Sequence, residues 1–170
     1  MKALRLQASQ IALDNAGGDH LYFGIKSPAS QRILSNLVEC TDGSAWGRIP
    51  DCLAPYPDTG AVSAGEIVVP RGNIAEGFVH IIHKHEKKIA EFHPGVPIEA
   101  YLQNVLRHFQ RIYRQRDGSL WLFRTNGMTK CAVVAPVELN GSLVYKLVTA
   151  YPIPKEPDFA RRGAVKLHFT

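Results

Sequence analysis

Three turn dipeptides constrain the fold of this chain more than any other feature. They are Asp117-Gly118, Asn126-Gly127 and Asn140-Gly141. Such pairs favour tight hairpins because both central residues of a type I′ turn need a positive φ angle. The segments around them alternate apolar and polar residues, as half-buried strands do; these segments are 110–116, 120–125, 130–139 and 142–151. The pattern predicts a four-stranded antiparallel meander.

Two helices are predicted ahead of the meander. Asn73, with Glu76 three residues later, resembles a capping box, and apolar residues follow it at helical spacing. A break over 93–97 contains Pro and Gly, and a second helical pattern runs over 98–106. A strand-like stretch lies at 164–169. We therefore expect an α+β domain in which N-terminal helices pack on one face of a four-stranded antiparallel β-meander.

The first 65 residues carry weaker signals. Ser27-Pro28 is typical of a helix start, with proline at the first helical position. Residues 41–65 are rich in Gly and Pro and are predicted to be a loop. We expect 1–65 to be an N-terminal extension of unclear role and 66–170 to be the main domain. A loose alternation of apolar and polar residues predicts two strands in the extension, at 3–13 and 21–25.

Composition and charge narrow the choice of partner and compartment. The 170 residues are 45% hydrophobic and 21% charged, which is typical of a globular domain. A net charge of +5 favours a polyanion such as nucleic acid, although a simply solvated basic surface is an alternative. Three cysteines without a framework spacing favour a reducing compartment, so we expect a cytoplasmic location, in the producing or the target cell. No apolar run is long enough to span a bilayer, so we expect no membrane partner.

Three histidines lie close together on the first predicted helix, at positions 80, 83 and 85. Imidazole exchanges protons near neutral pH. His80 and His83 are about 300° apart on a helix, which makes them neighbours that could hold zinc. A zinc site needs a third and usually a fourth ligand, and no second ligand pair follows in the sequence. The alternative is structural: one histidine packs on the apolar stripe and the others are solvated.

The predicted sheet offers a second set of polar groups. Thr149 and Tyr151 share one face of the last strand, and Lys146 lies on the other. Arg111, with Tyr113 near it, and Arg124 add positive charge and an aromatic ring. Such a surface binds phosphates through cations and stacks unpaired bases on rings. An ordinary sheet edge protected by charges is the alternative.

These groups fit RNA cleavage by attack of the 2′-hydroxyl on the adjacent phosphate. The reaction needs a base, an acid and cationic donors for the charge that develops on the phosphate. Two imidazoles can serve as base and acid, while Thr or Tyr orients the phosphate. Neither a metal nor a cofactor is required.

Two segments carry a resemblance to a known family. The helix sequence from Gly77 to His85 and the closing Val148-Thr-Ala-Tyr-Pro152 resemble the barnase/EndoU/colicin/RelE-like nuclease superfamily, in its phage- and mobile-element-associated branch. The likeness covers residues 73–152. It implies N-terminal helices on a four-stranded antiparallel sheet, and metal-independent ribonuclease activity that is often toxic. It also implies that His80 and His85 are the paired helix histidines and that Thr149 and Tyr151 are the polar residues of the closing strand.

We therefore expect a toxin-type, metal-independent endoribonuclease. RNA, either tRNA or another structured RNA, would be its substrate, and an immunity or antitoxin protein could be a further partner. The expected catalytic residues are His80, His85, Thr149 and Tyr151; those expected to bind RNA phosphates are Arg111, Tyr113, Arg124 and Lys146. Which histidine is base and which is acid stays open. The alternatives are a non-catalytic module that binds nucleic acid or protein, a zinc-dependent hydrolase using His80 and His83, and a phage accessory protein.

Overall fold

A computed structural model describes residues 36–53, 61–154 and 164–169. These residues form eight strands and two helices: β1 Arg48–Ile49, β2 Cys52–Leu53, β3 Gly65–Val68, α1 Phe78–Phe92, α2 Ile98–His108, β4 Arg111–Arg114, β5 Leu120–Asn126, β6 Met128–Leu139, β7 Ser142–Ile153 and β8 Val165–Phe169. The strands predicted at 3–13 and 21–25, and the helix start at Ser27, lie outside the described residues. No described helix is both long and apolar enough to cross a membrane.

The strands form one mixed sheet in the order β1-β3-β7-β6-β5-β4-β8-β2. All neighbours are antiparallel except β3 and β7, which are parallel. The predicted α+β fold, with N-terminal helices on a four-stranded meander, is therefore wrong: the described chain is mostly β, with a sheet curled into a half-barrel and two short helices. The four central strands, β4 to β7, are the meander. Short strands extend it at both ends, and two of these have only two residues, too few to show an alternating pattern.

The curl of the sheet follows from one short segment, residues 48–53, which we name the strap. It contains both β1 and β2, which occupy opposite ends of the strand order. Only Pro50 and Asp51 separate the two strands, so three residue steps, about 11 Å at full extension, connect the sheet's ends. Ile49 and Cys52 in the strap are both buried. The strap lies in the predicted N-terminal extension, whose boundary at 65/66 falls in β3.

The three turn dipeptides connect the central strands. Asn140 and Gly141 have φ angles of 51° and 76°, the signs that a type I′ turn needs. At the other two dipeptides only the glycines have positive φ angles, 81° at Gly118 and 74° at Gly127, so these two turns are not of type I′. These local turns explain why β4 to β7 follow one another in order across the sheet.

A register shift interrupts the pairing of β6 with β7. Val133 pairs with Thr149 and Val134 pairs with Leu147, which leaves Val148 without a partner residue on β6. The shift changes the alternation along β7, as bulges do. Leu147 precedes the bulge and Ala150 follows it, and both belong to the larger apolar cluster. Without the bulge, two residues three positions apart would lie on opposite faces of the strand.

Helix α1 lies against the part of β7 that β3 does not cover. The pairing of β3 with β7 ends at Lys146, and the Gly77 amide then donates to the Val148 carbonyl at 2.9 Å. Gly77 has a φ angle of 85°, and a Cβ there would meet the Pro70 carbonyl oxygen at 2.8 Å. Glycine is therefore required where the chain turns into α1.

The predicted capping box does not form at the start of α1. The side chain of Asn73 accepts a hydrogen bond from the Ala75 amide at 2.7 Å. The carboxylate of Glu76 bonds the Lys146 ammonium instead of a helix amide. The helix consequently begins later, at Phe78.

Two apolar clusters lie on the two faces of the sheet. The main cluster contains the buried residues of both helices, and we call its side the helix face; the helix residues in it are Ile81, Ile89, Tyr101, Leu102, Val105 and Leu106. A smaller cluster lies on the opposite face; its buried members are Phe123, Cys131, Val133 and Ile153. Cys131 is buried and belongs to no disulfide.

Candidate functional site

A shallow groove of about 540 Å³ lies on the opposite face. Its floor comes from three neighbouring strands, since Trp121 pairs with Val133 and Val133 pairs with Thr149. The β4–β5 hairpin supplies one wall. The lining residues are Gln115, Arg116, Asp117, Ser119, Trp121, Val133, Thr149 and Tyr151.

Tyr151 connects this groove to the histidines of α1. Its ring centroid is 5.1 Å from that of His85, and the His85 centroid is 5.3 Å from that of His80. Thr149 lines the same groove as Tyr151. The structure therefore brings together the four residues that the sequence proposes as catalytic, although they come from a helix and a distant strand.

His80 is held in one orientation by the chain before α1. Its Nδ1 atom is 2.7 Å from the carbonyl oxygen of Ile74. A carbonyl only accepts hydrogen bonds, so Nδ1 carries the proton. The residue is buried, and its ring meets that of His85 edge to face, at an interplanar angle of 78°. His80 thus restrains the ring of His85 through this contact.

The surroundings of His85 keep its imidazole neutral. Its pKa is lowered from 6.5 to about 4, first by burial and then by the nearby His80, Lys84 and Lys88. Both causes disfavour the charged imidazolium. At neutral pH the ring is therefore neutral, able to act as a base but not as a general acid.

Arg111 and Tyr113 lie on the same face as the groove. The Tyr113 ring is 5.7 Å from the Phe123 ring, and the Phe123 ring is 6.1 Å from the Trp121 ring. The Arg111 Nη2 atom donates to the Thr125 hydroxyl at 2.6 Å. Together these residues extend the groove's surface with rings and a cation.

Arg124 and Lys146 do not join this site. Arg124 points to the helix face, where its Nη1 atom donates to the Asn104 carbonyl at 3.4 Å. The Lys146 ammonium donates to both carboxylate oxygens of Glu76, at 2.9 and 2.8 Å. Arg124 shares its strand face with Leu120 and Leu122, both buried under the helices.

The alternative zinc site is not assembled. His83 is exposed, whereas His80 is buried. Within 36–53, 61–154 and 164–169, no group of three His, Cys, Asp or Glu side chains could hold a metal ion.

Sequence reasoning missed one buried polar group of the groove, the side chain of Gln115. Among the described residues, neither the Gln115 Nε2 atom nor the Thr149 hydroxyl has a hydrogen-bond partner, although both atoms are buried. In contrast, Asp117 is occupied by the Ser119 amide and hydroxyl. Trp121, which shares its strand face with Thr125, also lines the groove.

The likeness to the barnase/EndoU/colicin/RelE-like nucleases stays a prediction, carried by the two segments named for it. No protein-family model matches this chain, and neither the curated proteins nor the solved structures provide a match.

Proposed function

We propose that this protein is a metal-independent endoribonuclease that cleaves RNA bound in the groove. One observation supports this most strongly: His85, in contact with His80, lies against Tyr151, which lines the groove beside Thr149. A proton acceptor and two hydroxyl groups therefore meet at one end of a site that also holds a cation, Arg116. This is the set of groups that transesterification of RNA requires.

In the proposed reaction, His85 takes the proton of the 2′-hydroxyl. The 2′-oxygen attacks the adjacent phosphorus, the bond from phosphorus to the 5′-oxygen breaks, and that oxygen takes a proton from water. The products are a 2′,3′-cyclic phosphate and a 5′-hydroxyl. Tyr151 and Thr149 donate hydrogen bonds to the phosphate oxygens, and Arg116 offsets their charge. His80 is a positioning residue, since it acts through the ring of His85.

The substrate is single-stranded RNA. Trp121 lies in the groove, and unpaired bases stack on such rings with little dependence on which base it is. The net charge of +5 favours association with the phosphate backbone. The toxin role and the immunity protein rest on the family resemblance alone.

The test is cleavage of a labelled single-stranded RNA in excess EDTA. Wild type should produce fragments with 2′,3′-cyclic phosphate ends, and His85→Ala should lower the rate by roughly a hundredfold or more. His83→Ala is the matched control, because His83 is exposed on the same helix; its rate should equal that of wild type. An RNA with a single 2′-deoxy sugar at the cut position should resist cleavage.

Two results would contradict the proposal. One is intact RNA with wild type at every ratio of protein to substrate. The other is equal cleavage by wild type and by His85→Ala, which would place the activity elsewhere or in a contaminant.

A second candidate is a non-catalytic RNA-binding module. The run of rings from Tyr113 through Phe123 to Trp121, with Arg111 beside it, favours this candidate. It needs no proton acceptor. Salt-dependent binding of RNA that stays intact would support it over the nuclease.

A further inference from the structure

Two positive charges lie side by side on the helix face. Arg124 of β5 and Lys130 of β6 are directly opposite in the antiparallel register. Like charges in this relationship destabilise a sheet. Lys130 is also buried, with only 8% of its surface exposed, a position that lysine rarely takes unless it is paired.

No carboxylate compensates these charges within the described residues. The ion pairs there join Arg107 to Asp42 and Lys146 to Glu76. Arg124 has one long hydrogen bond, 3.4 Å to the Asn104 carbonyl, and its buried Nε atom has no partner. The guanidinium of Arg124 and the ammonium of Lys130 are therefore left without an anionic acceptor among the described residues.

A third nitrogen donor approaches from the end of α1. His93 follows the last residue of that helix, and its ring is 5.4 Å from that of the buried Tyr101. Its Nε2 atom is buried, and none of the described residues bonds it. Burial lowers the pKa of His93, and Lys130 lowers it further; burial likewise lowers the pKa of Lys130, followed by the effect of Arg124. Lys130 therefore lies within electrostatic reach of His93 on one side and of Arg124 on the other.

We propose that Arg124, Lys130 and His93 form a binding site for a phosphate group. A guanidinium and an ammonium match the oxygens of a phosphate, and a dianion would replace the repulsion between the two cations with attraction. A neutral ligand would leave that repulsion in place. The site is on the helix face, on the other side of the sheet from the groove, and it does not depend on the proposed ribonuclease activity.

The phosphate could be free or part of a nucleotide. Thermal unfolding of the full chain tests the site, with inorganic phosphate added at constant ionic strength. A ligand present at about five times its dissociation constant should raise the Tm of wild type by roughly 2–4 °C. A nucleoside monophosphate that stabilises more than inorganic phosphate identifies a nucleotide as the ligand, while equal stabilisation identifies the free anion. Titration calorimetry with the same two compounds gives the affinity directly.

Lys130→Met removes one charge and keeps the length of the side chain. It should abolish the phosphate-dependent rise in Tm, while its Tm without phosphate should equal or exceed that of wild type. Lys87→Met, an exposed lysine of α1, is the matched control and should keep the rise. Arg124→Met serves as a second variant if Lys130→Met does not fold.

The proposal is overturned if wild type shows no phosphate-specific rise in Tm and no heat of binding. It is also overturned if Lys130→Met and Arg124→Met respond to phosphate as wild type does. Loss of RNA cleavage in His85→Ala has no bearing on it, because that residue belongs to the other site.

Discussion

The imidazole of His85 and the phenol of Tyr151 are 5.1 Å apart, with their planes tilted by 36°. One belongs to α1 and the other to the end of β7. The contact exists because α1 lies along the part of β7 that β3 leaves uncovered, starting from the hydrogen bond between Gly77 and Val148. The end of the β3–β7 pairing thus leaves room for the histidine helix beside β7, which brings His85 to the groove.

The lowered pKa of His85 predicts a loss of stability in mild acid. The folded pKa is about 4 and the ordinary value is 6.5, so the unfolded chain binds more protons between these limits. The stability is therefore fully present above about pH 6.5 and falls as the pH is lowered towards 4. His93, whose pKa is also lowered, contributes in the same direction.

Tm measured from pH 4 to pH 8 checks this expectation. His85→Gln, which does not titrate, should flatten the decline compared with wild type, leaving the part due to His93. Curves of equal slope for the two proteins would show that the environment of His85 does not disfavour its protonation.

Gly77→Ala should destabilise the fold by more than a positive φ angle alone explains. The angle of 85° costs an alanine about 1–2 kcal/mol. The new methyl group would also meet the Pro70 carbonyl oxygen at 2.8 Å and the Gly72 Cα atom at 3.0 Å, which adds about 1–3 kcal/mol.

Gly95→Ala provides the control for this substitution. Gly95 also has a positive φ angle, 73°, but a Cβ there would have nothing within 4 Å. Denaturant unfolding should therefore give a smaller loss for Gly95→Ala than for Gly77→Ala. Equal losses would mean that the chain around Gly72 moves to accommodate the methyl group.

Trp121→Ala should weaken the binding of single-stranded RNA. Stacking of one base on an aromatic ring contributes about 1–3 kcal/mol, so the dissociation constant should rise roughly 5- to 150-fold. Trp121→Phe keeps a ring and should lose much less. Fluorescence anisotropy with the catalytically impaired His85→Ala background separates binding from cleavage. Unchanged affinity in Trp121→Ala would exclude the groove as the place where bases bind.

The local part of the fold was predictable from the sequence. Asn140-Gly141 dictates its turn through the φ angles of two adjacent residues, and no distant contact is needed. The strap was not predictable, because β1 and β2 are two residues long and exist only through their pairing with β3 and β8. Short strands of this kind carry no periodic pattern of their own.

The same distinction applies to the candidate site. His80, His85, Thr149 and Tyr151 were named from the sequence, and they lie together in the structure. Arg124 was assigned to the wrong face, even though its alternation with Leu120 and Leu122 placed it with the residues that the helices cover. What the sequence could not provide was the bulge at Val148, since a one-residue change in alternation depends on the neighbouring strand.

The strap gives the two margins of the sheet a covalent connection. A single peptide-bond cut between Pro50 and Asp51 would break that connection and leave β1 and β2 on different margins of the sheet. A chain shortened to begin at residue 66 would lose both halves, and β8 would then end the sheet as an unprotected edge. The smallest fragment that can fold as this domain does must therefore include residues far upstream of the meander, beginning before Arg48.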